Sequence, residues 1–282
     1  MSDDLTGADR DGPDIDFLRT HGFHVWRGLL DPAEVAALRD EVRTALQDNY
    51  DIRTTKSDRV TGTAGYYLPM MGRRTPLSRA LLADRRLVGI AERLYGCEVV
   101  PKPAKGILYR DASPWHQDSV DPHLTAIKLV AYLEPLTGET GALQILPGTH
   151  RGEYARILAD YRRRWPVADA DLDEAVEAAR WPGLTLETQP GDVIGFDVHL
   201  WHASLGGRDR LQWSVSYAAT PTSAATRDSL RHYVASFLSV GHPFDSDAYP
   251  YFDPDWSRLP RSGFGVAMAD LFPDRLEPRS SR

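Results

Sequence analysis

The chain has 282 residues, a net charge of −7 and 42% hydrophobic residues, a composition typical of a soluble globular protein. The acidic balance disfavours binding to nucleic acid phosphates, and no apolar run approaches the roughly 18–20 residues that span a bilayer. Cys97 is the only cysteine, which excludes an internal disulfide and a cysteine-based zinc site. The start of the sequence shows no signal-peptide pattern, so a cytoplasmic protein is expected.

The N-terminal part of the chain is predicted to be helical around one short strand. Residues 1–13 are polar and rich in Gly and Asp, which is typical of a disordered tail. A helical pattern follows over residues 14–21, and residues 22–28 alternate like a strand. Asp31 then offers an N-cap and Glu34 completes a capping box, so a second helix is predicted to begin here.

The pattern changes twice in the next hundred residues. Glycines and Pro69 predict a long loop over residues 53–74, and residues 77–95 return to a helical pattern. From Val99 onward, short apolar runs alternate with Gly and Pro, which predicts an antiparallel sandwich or barrel. The runs that carry this prediction are residues 106–109, 126–133, 143–146, 192–196 and 212–217.

Two helical segments are predicted in or after these strands, an insertion near residues 154–179 and a helix near residues 230–238. No internal domain boundary is visible. Residues 14–282 are therefore expected to form a single domain with an irregular C-terminal extension. The oligomeric state stays open.

The segment from Trp115 to Asp118 offers a pair of metal ligands. His116 and Asp118 are two residues apart, so they point to the same side of an extended strand. One imidazole and one carboxylate are two of the three ligands in the 2-His-1-carboxylate triad that holds non-haem Fe(II). Alone, such a pair is weak evidence, because most isolated histidines are structural or solvated. His199 and His202 compete for the third position.

Three segments together resemble the phytanoyl-CoA dioxygenase (PhyH-like) family of Fe(II)/2-oxoglutarate-dependent oxygenases. The first is the helix–strand–helix over residues 17–35, and the second is Trp115-His116-Gln117-Asp118. The third runs from residues 141–150 through residues 189–192 to Trp201-His202-Ala203-Ser204. The resemblance implies a mainly β protein with flanking helices and a double-stranded β-helix core of the jelly-roll, cupin-like type. It implies Fe(II) as metal, with 2-oxoglutarate and dioxygen as co-substrates.

The resemblance also assigns roles to individual residues. His116, Asp118 and His202 match the metal ligands, and the distal His-Gly/Ala-Ser motif selects His202 over His199. Ser204 matches a serine that hydrogen-bonds the C5 carboxylate of 2-oxoglutarate. Relatives also carry a basic co-substrate contact before the metal strand. Among the three candidates for it, which are Lys102, Lys105 and Arg110, we choose Arg110.

An arginine is expected to clamp the same C5 carboxylate, because a guanidinium binds a carboxylate in a bidentate manner. In much of the family this arginine lies about eleven residues after the distal histidine, where this chain has Trp213. A shorter turn could bring Arg210 to the required place, so we choose Arg210, with Arg208 in reserve. The alternative is that both are surface arginines of a turn.

The activity that the resemblance implies is hydroxylation, or another oxidation, of a small organic molecule, with a biosynthetic step in secondary metabolism as the expected setting. Halogenating relatives lack the carboxylate that Asp118 provides, so halogenation is disfavoured. Desaturation, epimerisation and ring formation stay open, as does a non-catalytic or differently reacting cupin-like protein. Aromatic and methionine side chains are expected to line a partly apolar pocket, with candidates Tyr66, Tyr67, Met70, Met71, Tyr249, Tyr251 and Phe252.

Overall fold

The computed structural model describes residues 12–50, 65–164, 181, 183–256 and 263–276. Its helices are α1 (Pro13–His21), α2 (Pro32–Tyr50), α3 (Pro76–Leu82), α4 (Arg85–Tyr95), α5 (Gly152–Arg164), α6 (Ala224–Val240), α7 (Gly263–Leu271) and α8 (Pro273–Leu276). Its strands are β1 (Phe23–Trp26), β2 (Gly65–Pro69), β3 (Val99–Tyr109), β4 (Ser113–His116), β5 (Ala126–Tyr132), β6 (Leu143–Ile145), β7 (Leu184–Leu186), β8 (Val193–Asp197), β9 (His202–Ser204) and β10 (Arg210–Ala219).

The strands form two antiparallel sheets. The large sheet has the order β1-β8-β5-β10-β3-β2, and the small sheet has the order β4-β9-β6-β7. An apolar cluster with members in both sheets, among them Val130, Ile145 and Phe196, joins them. This is the antiparallel architecture that the strand pattern predicts, and it agrees with the jelly-roll core with flanking helices that the resemblance implies.

Alternation along the central strand β10 shows why the large sheet has two different faces. Leu211, Trp213 and Val215 belong to the buried cluster that the helices cover. The residues between them are polar, and they point to the opposite face because successive side chains of a strand alternate. A strand that is apolar on its helix side therefore carries a row of buried polar groups on the side that faces the small sheet.

The observed elements confirm most of the predicted ones and correct three. The C-terminal extension, expected to be irregular, contains helices α7 and α8. Residues 65–69 form strand β2 rather than loop, pairing with β3, whereas residues 51–64 lie outside the described part. The helical stretch over residues 77–95 is two helices, because Asp84 caps a new helix by accepting a hydrogen bond from the backbone of Arg86.

Three predictions concern residues that are only partly described. Helix α5 covers the start of the predicted insertion, and residues 165–180 lie outside the described part, as do residues 1–11 of the predicted tail. The single domain over residues 14–282 stays a prediction. Among the described helices, none is both long enough and apolar enough to cross a bilayer.

Candidate metal centre

Two neighbouring strands of the small sheet bring the candidate ligands together. His116 ends β4 and His202 begins β9, and the two residues are paired in the register of these strands. Their ring centroids are 4.3 Å apart. Asp118 follows two residues after His116, and its Oδ1 lies 3.9 Å from His116 Nε2 and 3.8 Å from His202 Nε2. One ligand atom from each residue thus lies within 4.8 Å of the other two.

Both histidines are oriented by the same backbone contact. The Nδ1–H of His116 donates to the carbonyl of Pro114 at 2.7 Å, and that of His202 donates to the carbonyl of Leu200 at 2.8 Å. A carbonyl can only accept, so in each ring the proton sits on Nδ1 and the lone pair on Nε2. Such a bond fixes the tautomer and the ring plane of a metal-binding histidine.

The surroundings of His202 and Asp118 keep both groups in the protonation states that a metal needs. Burial, followed by the charge of His116, lowers the pKa of His202 to about 3, so its imidazole is neutral. Burial alone would raise the pKa of Asp118, but the charge of Lys128, whose Nζ lies 2.9 Å from Oδ2, and the two histidines outweigh it and lower that pKa. Two histidines and one carboxylate are the ligand types of an Fe(II) facial triad.

Two further histidines, His199 and His150, have other partners. His199 Nδ1 lies 2.8 Å from Asp197 Oδ1, and its Nε2 donates to the carbonyl of Asp121 at 2.9 Å. His150 contacts the carbonyl of Arg19. With both ring nitrogens engaged, His199 has no lone pair for a metal, and this supports the choice of His202.

The triad lies on the wall of a cavity of about 180 Å³ between the two sheets. His116, Asp118, His202 and Ser204 form one side. The opposite side is the polar face of the large sheet, contributed by Lys105, Tyr109, Lys128, Tyr132, Arg210 and Gln212. A metal here would face this cavity, which has room for further ligands.

Arg210 and Ser204 meet at one end of this cavity. The Arg210 side chain is buried, with Nη1 donating to the carbonyl of Gly141 at 3.1 Å and Nη2 to that of Asp111 at 2.7 Å. Ser204 Oγ donates to the same carbonyl of Gly141. Arg210 Nε is buried and has no hydrogen bond partner among the described residues, so this end of the cavity has donors to offer a carboxylate.

Glycine is needed at position 141 for Arg210 and the neighbouring turn to pack as they do. Its φ of +88° lies in the left-handed region, and a Cβ there would be 2.7 Å from Arg210 Cδ and 2.9 Å from the Cα of Gly207. The glycine therefore lets the guanidinium and the turn pack directly against its backbone.

The remaining predicted co-substrate residues lie apart from the cavity. Arg208 is half-exposed and forms an ion pair with Asp111. Arg110 pairs with Asp209 at 3.1 Å and does not line the cavity, and the wall position beside it belongs to Tyr109. The structure thus favours Arg210 over its reserve and gives no support to Arg110.

Only one of the predicted pocket residues, Tyr67, lines the cavity. Met70 and Met71 are fully buried in the cluster beneath the helices, and the side chain of Tyr251 stacks on Phe237. Trp115 packs in a separate apolar cluster with Trp181 and Trp201. These side chains are core, because apolar patterning alone does not distinguish a pocket wall from a packed interior.

Sequence reasoning missed Lys128, Tyr132 and Gln212, and set Lys105 aside. Two signals could have found them. Lys128 is the one charged residue in an otherwise apolar strand, and Gln212 and Ser214 alternate with large apolar residues in β10. A polar residue on an inward face needs a partner or a function.

Comparisons with known proteins agree with the site. A profile of the phytanoyl-CoA dioxygenase (PhyH) family matches residues 18–208. An ectoine dioxygenase of Sphingopyxis alaskensis is 30% identical over 152 residues, 47% of this chain and 49% of that protein, so the match spans about half the length of that relative. An ectoine dioxygenase of Nocardia farcinica is 26% identical over 231 residues, 72% of each chain.

A solved structure supports the fold independently. The crystal structure of HygX from Streptomyces hygroscopicus, with nickel and 2-oxoglutarate bound, superposes with a TM-score of 0.59 at 16% identity and covers 74% of this chain and 87% of that one. Because the family profile matches more than half of its residues, the chain belongs to the phytanoyl-CoA dioxygenase family of Fe(II)/2-oxoglutarate-dependent oxygenases.

Proposed function

We propose that this protein is a non-haem Fe(II)- and 2-oxoglutarate-dependent dioxygenase that hydroxylates, or otherwise oxidises, a small organic molecule. The observation that carries the proposal is the convergence of His116, Asp118 and His202 on the wall of a cavity between the two sheets. A biosynthetic step in secondary metabolism is the setting we propose, and the acidic, cysteine-poor composition supports a cytoplasmic location.

Each residue near the centre has a role that follows from its position. His116, Asp118 and His202 hold the metal on one face. Arg210 and Ser204 bind the C5 carboxylate of 2-oxoglutarate at one end of the cavity: Arg210 offers a charged Nε–H that has no partner among the described residues, and the Ser204 hydroxyl donates to the carboxylate in place of the carbonyl of Gly141. When bound, iron and 2-oxoglutarate supply the dioxygen chemistry that converts 2-oxoglutarate to succinate and carbon dioxide and oxidises the substrate.

The chain itself contributes orientation and exclusion of water. The backbone contacts of the two imidazoles fix the direction of their lone pairs, and Lys128 holds Asp118 as a carboxylate. Because Asp118 occupies the position that a halide would need, oxidation without halogenation is the activity that fits. The two sheets enclose the reacting atoms, which strengthens every charge interaction inside.

Anaerobic titration with Fe(II) and 2-oxoglutarate tests the proposal. A weak visible metal-to-ligand charge-transfer band should develop only when both are present, because it requires 2-oxoglutarate chelated to bound iron. His202→Ala should abolish the band. His199→Ala is the matched control and should keep it, since His199 bonds to Asp197 and Asp121 rather than to the metal. Wild-type protein that forms no band would contradict the proposal.

A further inference from the structure

With the proposed iron and 2-oxoglutarate counted, the cavity has two more positive than negative charges, those of Arg210 and Lys105. Fe(II) and the doubly charged 2-oxoglutarate cancel each other. Asp118 is paired with Lys128 at 2.9 Å, and Arg210 is assigned to the C5 carboxylate. Lys105 also lines the cavity, and no hydrogen bond or ion pair joins it to any residue that the structure describes. Its Nζ lies 5.8 Å from the centroid of the Phe237 ring, a contact that leaves its three N–H donors unused.

Strand register places Lys105 at the other end of the cavity from the 2-oxoglutarate donors. On β10, Arg210 is opposite Tyr109 of β3, whereas Ser214 is opposite Lys105. Four residues along a strand correspond to about 13 Å. Lys128, the partner of Asp118, is opposite Ser216, which is further in the same direction. Lys105 is therefore on the Asp118 side of the triad and away from Arg210.

Unused acceptors and donors accompany Lys105 on the same face. Ser214 Oγ and Gln212 Oε1 are buried, and neither has a hydrogen bond partner among the described residues. Ser214 is directly opposite Lys105, and Gln212 is the next inward residue along β10. A buried hydroxyl and amide without partners cost free energy unless a ligand or water satisfies them.

Lys102 is buried on this face and, unlike Lys105, has a hydrogen bond partner. Its Nζ donates to Ser236 Oγ at 2.9 Å and lies 3.8 Å from the centroid of the Tyr233 ring. Burial lowers its pKa well below the usual range. Lys105 has no such hydrogen bond.

We propose that Lys105 binds an anionic group of the substrate, and that this group is a carboxylate. The ammonium has three N–H donors without partners among the described residues, and the two oxygens of a carboxylate can accept from them. The substrate is then a small organic acid whose carboxylate lies on the Asp118 side of the metal. This inference rests on the proposed function, because it counts iron and 2-oxoglutarate among the charges of the cavity.

The electrostatics of Lys105 agree with this assignment. Burial, followed by repulsion from Lys128, lowers the pKa of Lys105 to about 8. Attraction to Asp118 raises this pKa in part, but Asp118 forms its ion pair with Lys128 and not with Lys105. A carboxylate beside Lys105 would supply a counter-charge and raise the pKa again.

The test compares propionate with propionamide, which have nearly the same shape and differ in charge. Each is added to the anaerobic protein already loaded with Fe(II) and 2-oxoglutarate, and the charge-transfer band is followed. Propionate should shift the band without removing it, with an apparent dissociation constant at least about tenfold lower than that of propionamide, as expected for a charge-assisted hydrogen bond.

Two variants tie the effect to Lys105. In Lys105→Met, propionate should bind no more tightly than propionamide. In Lys105→Arg, propionate should keep most of its advantage in affinity. The band that Lys105→Met forms with iron and 2-oxoglutarate before any propionate is added shows that the variant is folded.

Four results would overturn the inference. In the first two, propionate leaves the band of the wild type unchanged, or it removes the band by competing with 2-oxoglutarate. In the third, propionamide binds as tightly as propionate. In the fourth, Lys105→Met binds propionate as tightly as the wild type does. Failure of the proposed function looks different, because then no band forms before propionate is added.

Discussion

Two carbonyls, of Pro114 and Leu200, determine how the imidazoles of His116 and His202 present themselves. Each carbonyl belongs to the residue two positions before its histidine, so the orientation is local to the strand end. Because this orientation is set by neighbouring residues, a short sequence motif is enough to orient each metal-binding histidine. The carboxylate of Asp118 instead depends on a distant residue, Lys128, which comes from the other sheet.

Arg210 should control the affinity for 2-oxoglutarate. Arg210→Lys should raise the dissociation constant of 2-oxoglutarate about ten- to hundredfold, because a lysine keeps the charge but loses the bidentate geometry. Arg208→Lys is the control and should change it by no more than about twofold, since Arg208 is half-exposed and pairs with Asp111. Anaerobic titration of the Fe(II)-loaded protein measures both. Equal effects of the two changes would refute the role of Arg210.

Gly141 allows a second test of the same end of the cavity. Gly141→Ala should weaken 2-oxoglutarate binding, because the added Cβ would push on Arg210 Cδ. Gly148→Ala is a matched control: its φ is +80°, close to that of Gly141, but no atom lies within 4 Å of the added Cβ. Both changes should cost about 1–3 kcal/mol of stability, as strained backbone does. Only Gly141→Ala should affect the 2-oxoglutarate titration, and a similar loss in Gly148→Ala would show that strain alone is responsible.

At the scale of elements, β10 determines both faces of the large sheet. Its apolar residues pack under the helices, and Arg210 and Gln212 face the cavity. The strand was predictable from its alternation. The role of its inward residues was harder to predict, because an alternating strand more often has its polar face in solvent. Burial of that face becomes evident only when the small sheet is in place.

Helix α6 shows a local signal that the sequence prediction used only in part. The predicted helix covered residues 230–238, whereas α6 is longer and begins after Ser223. Ser223 Oγ accepts from the backbone of Thr226, and Thr226 Oγ1 accepts from the backbone of Ser223, which completes a capping box with Thr in place of Glu. The missing acidic residue is the reason why the pattern gave no start signal.

The cap of α6 should contribute measurably to stability. Ser223→Ala should lower the free energy of unfolding by about 1 kcal/mol, because it removes the side-chain acceptor of the N-cap. Thr222→Ala, one residue earlier and also exposed, should change it by less than about 0.5 kcal/mol. Urea unfolding of both variants provides the comparison. A Ser223→Ala protein as stable as wild type would mean that packing alone determines this helix end.

At the scale of the whole molecule, the site exists only where the two sheets meet. The small sheet supplies His116, His202 and Ser204, and the large sheet supplies Lys128 and Arg210. The sequence predicted the triad because its motifs are short and keep their order. It could not predict that Lys105 rather than Arg110 faces the cavity, since that depends on which way β3 turns its side chains against β10.

The central claim is that the assembled site uses iron to oxidise 2-oxoglutarate, and formation of succinate tests it most directly. The aerobic protein is incubated with Fe(II), 2-oxoglutarate and a panel of small organic molecules, and succinate is quantified. We predict Fe(II)-dependent succinate formation that falls at least about a hundredfold in His202→Ala and persists in His199→Ala. Wild-type protein that forms no succinate with any panel member, or a His202→Ala protein that matches it, would contradict the account.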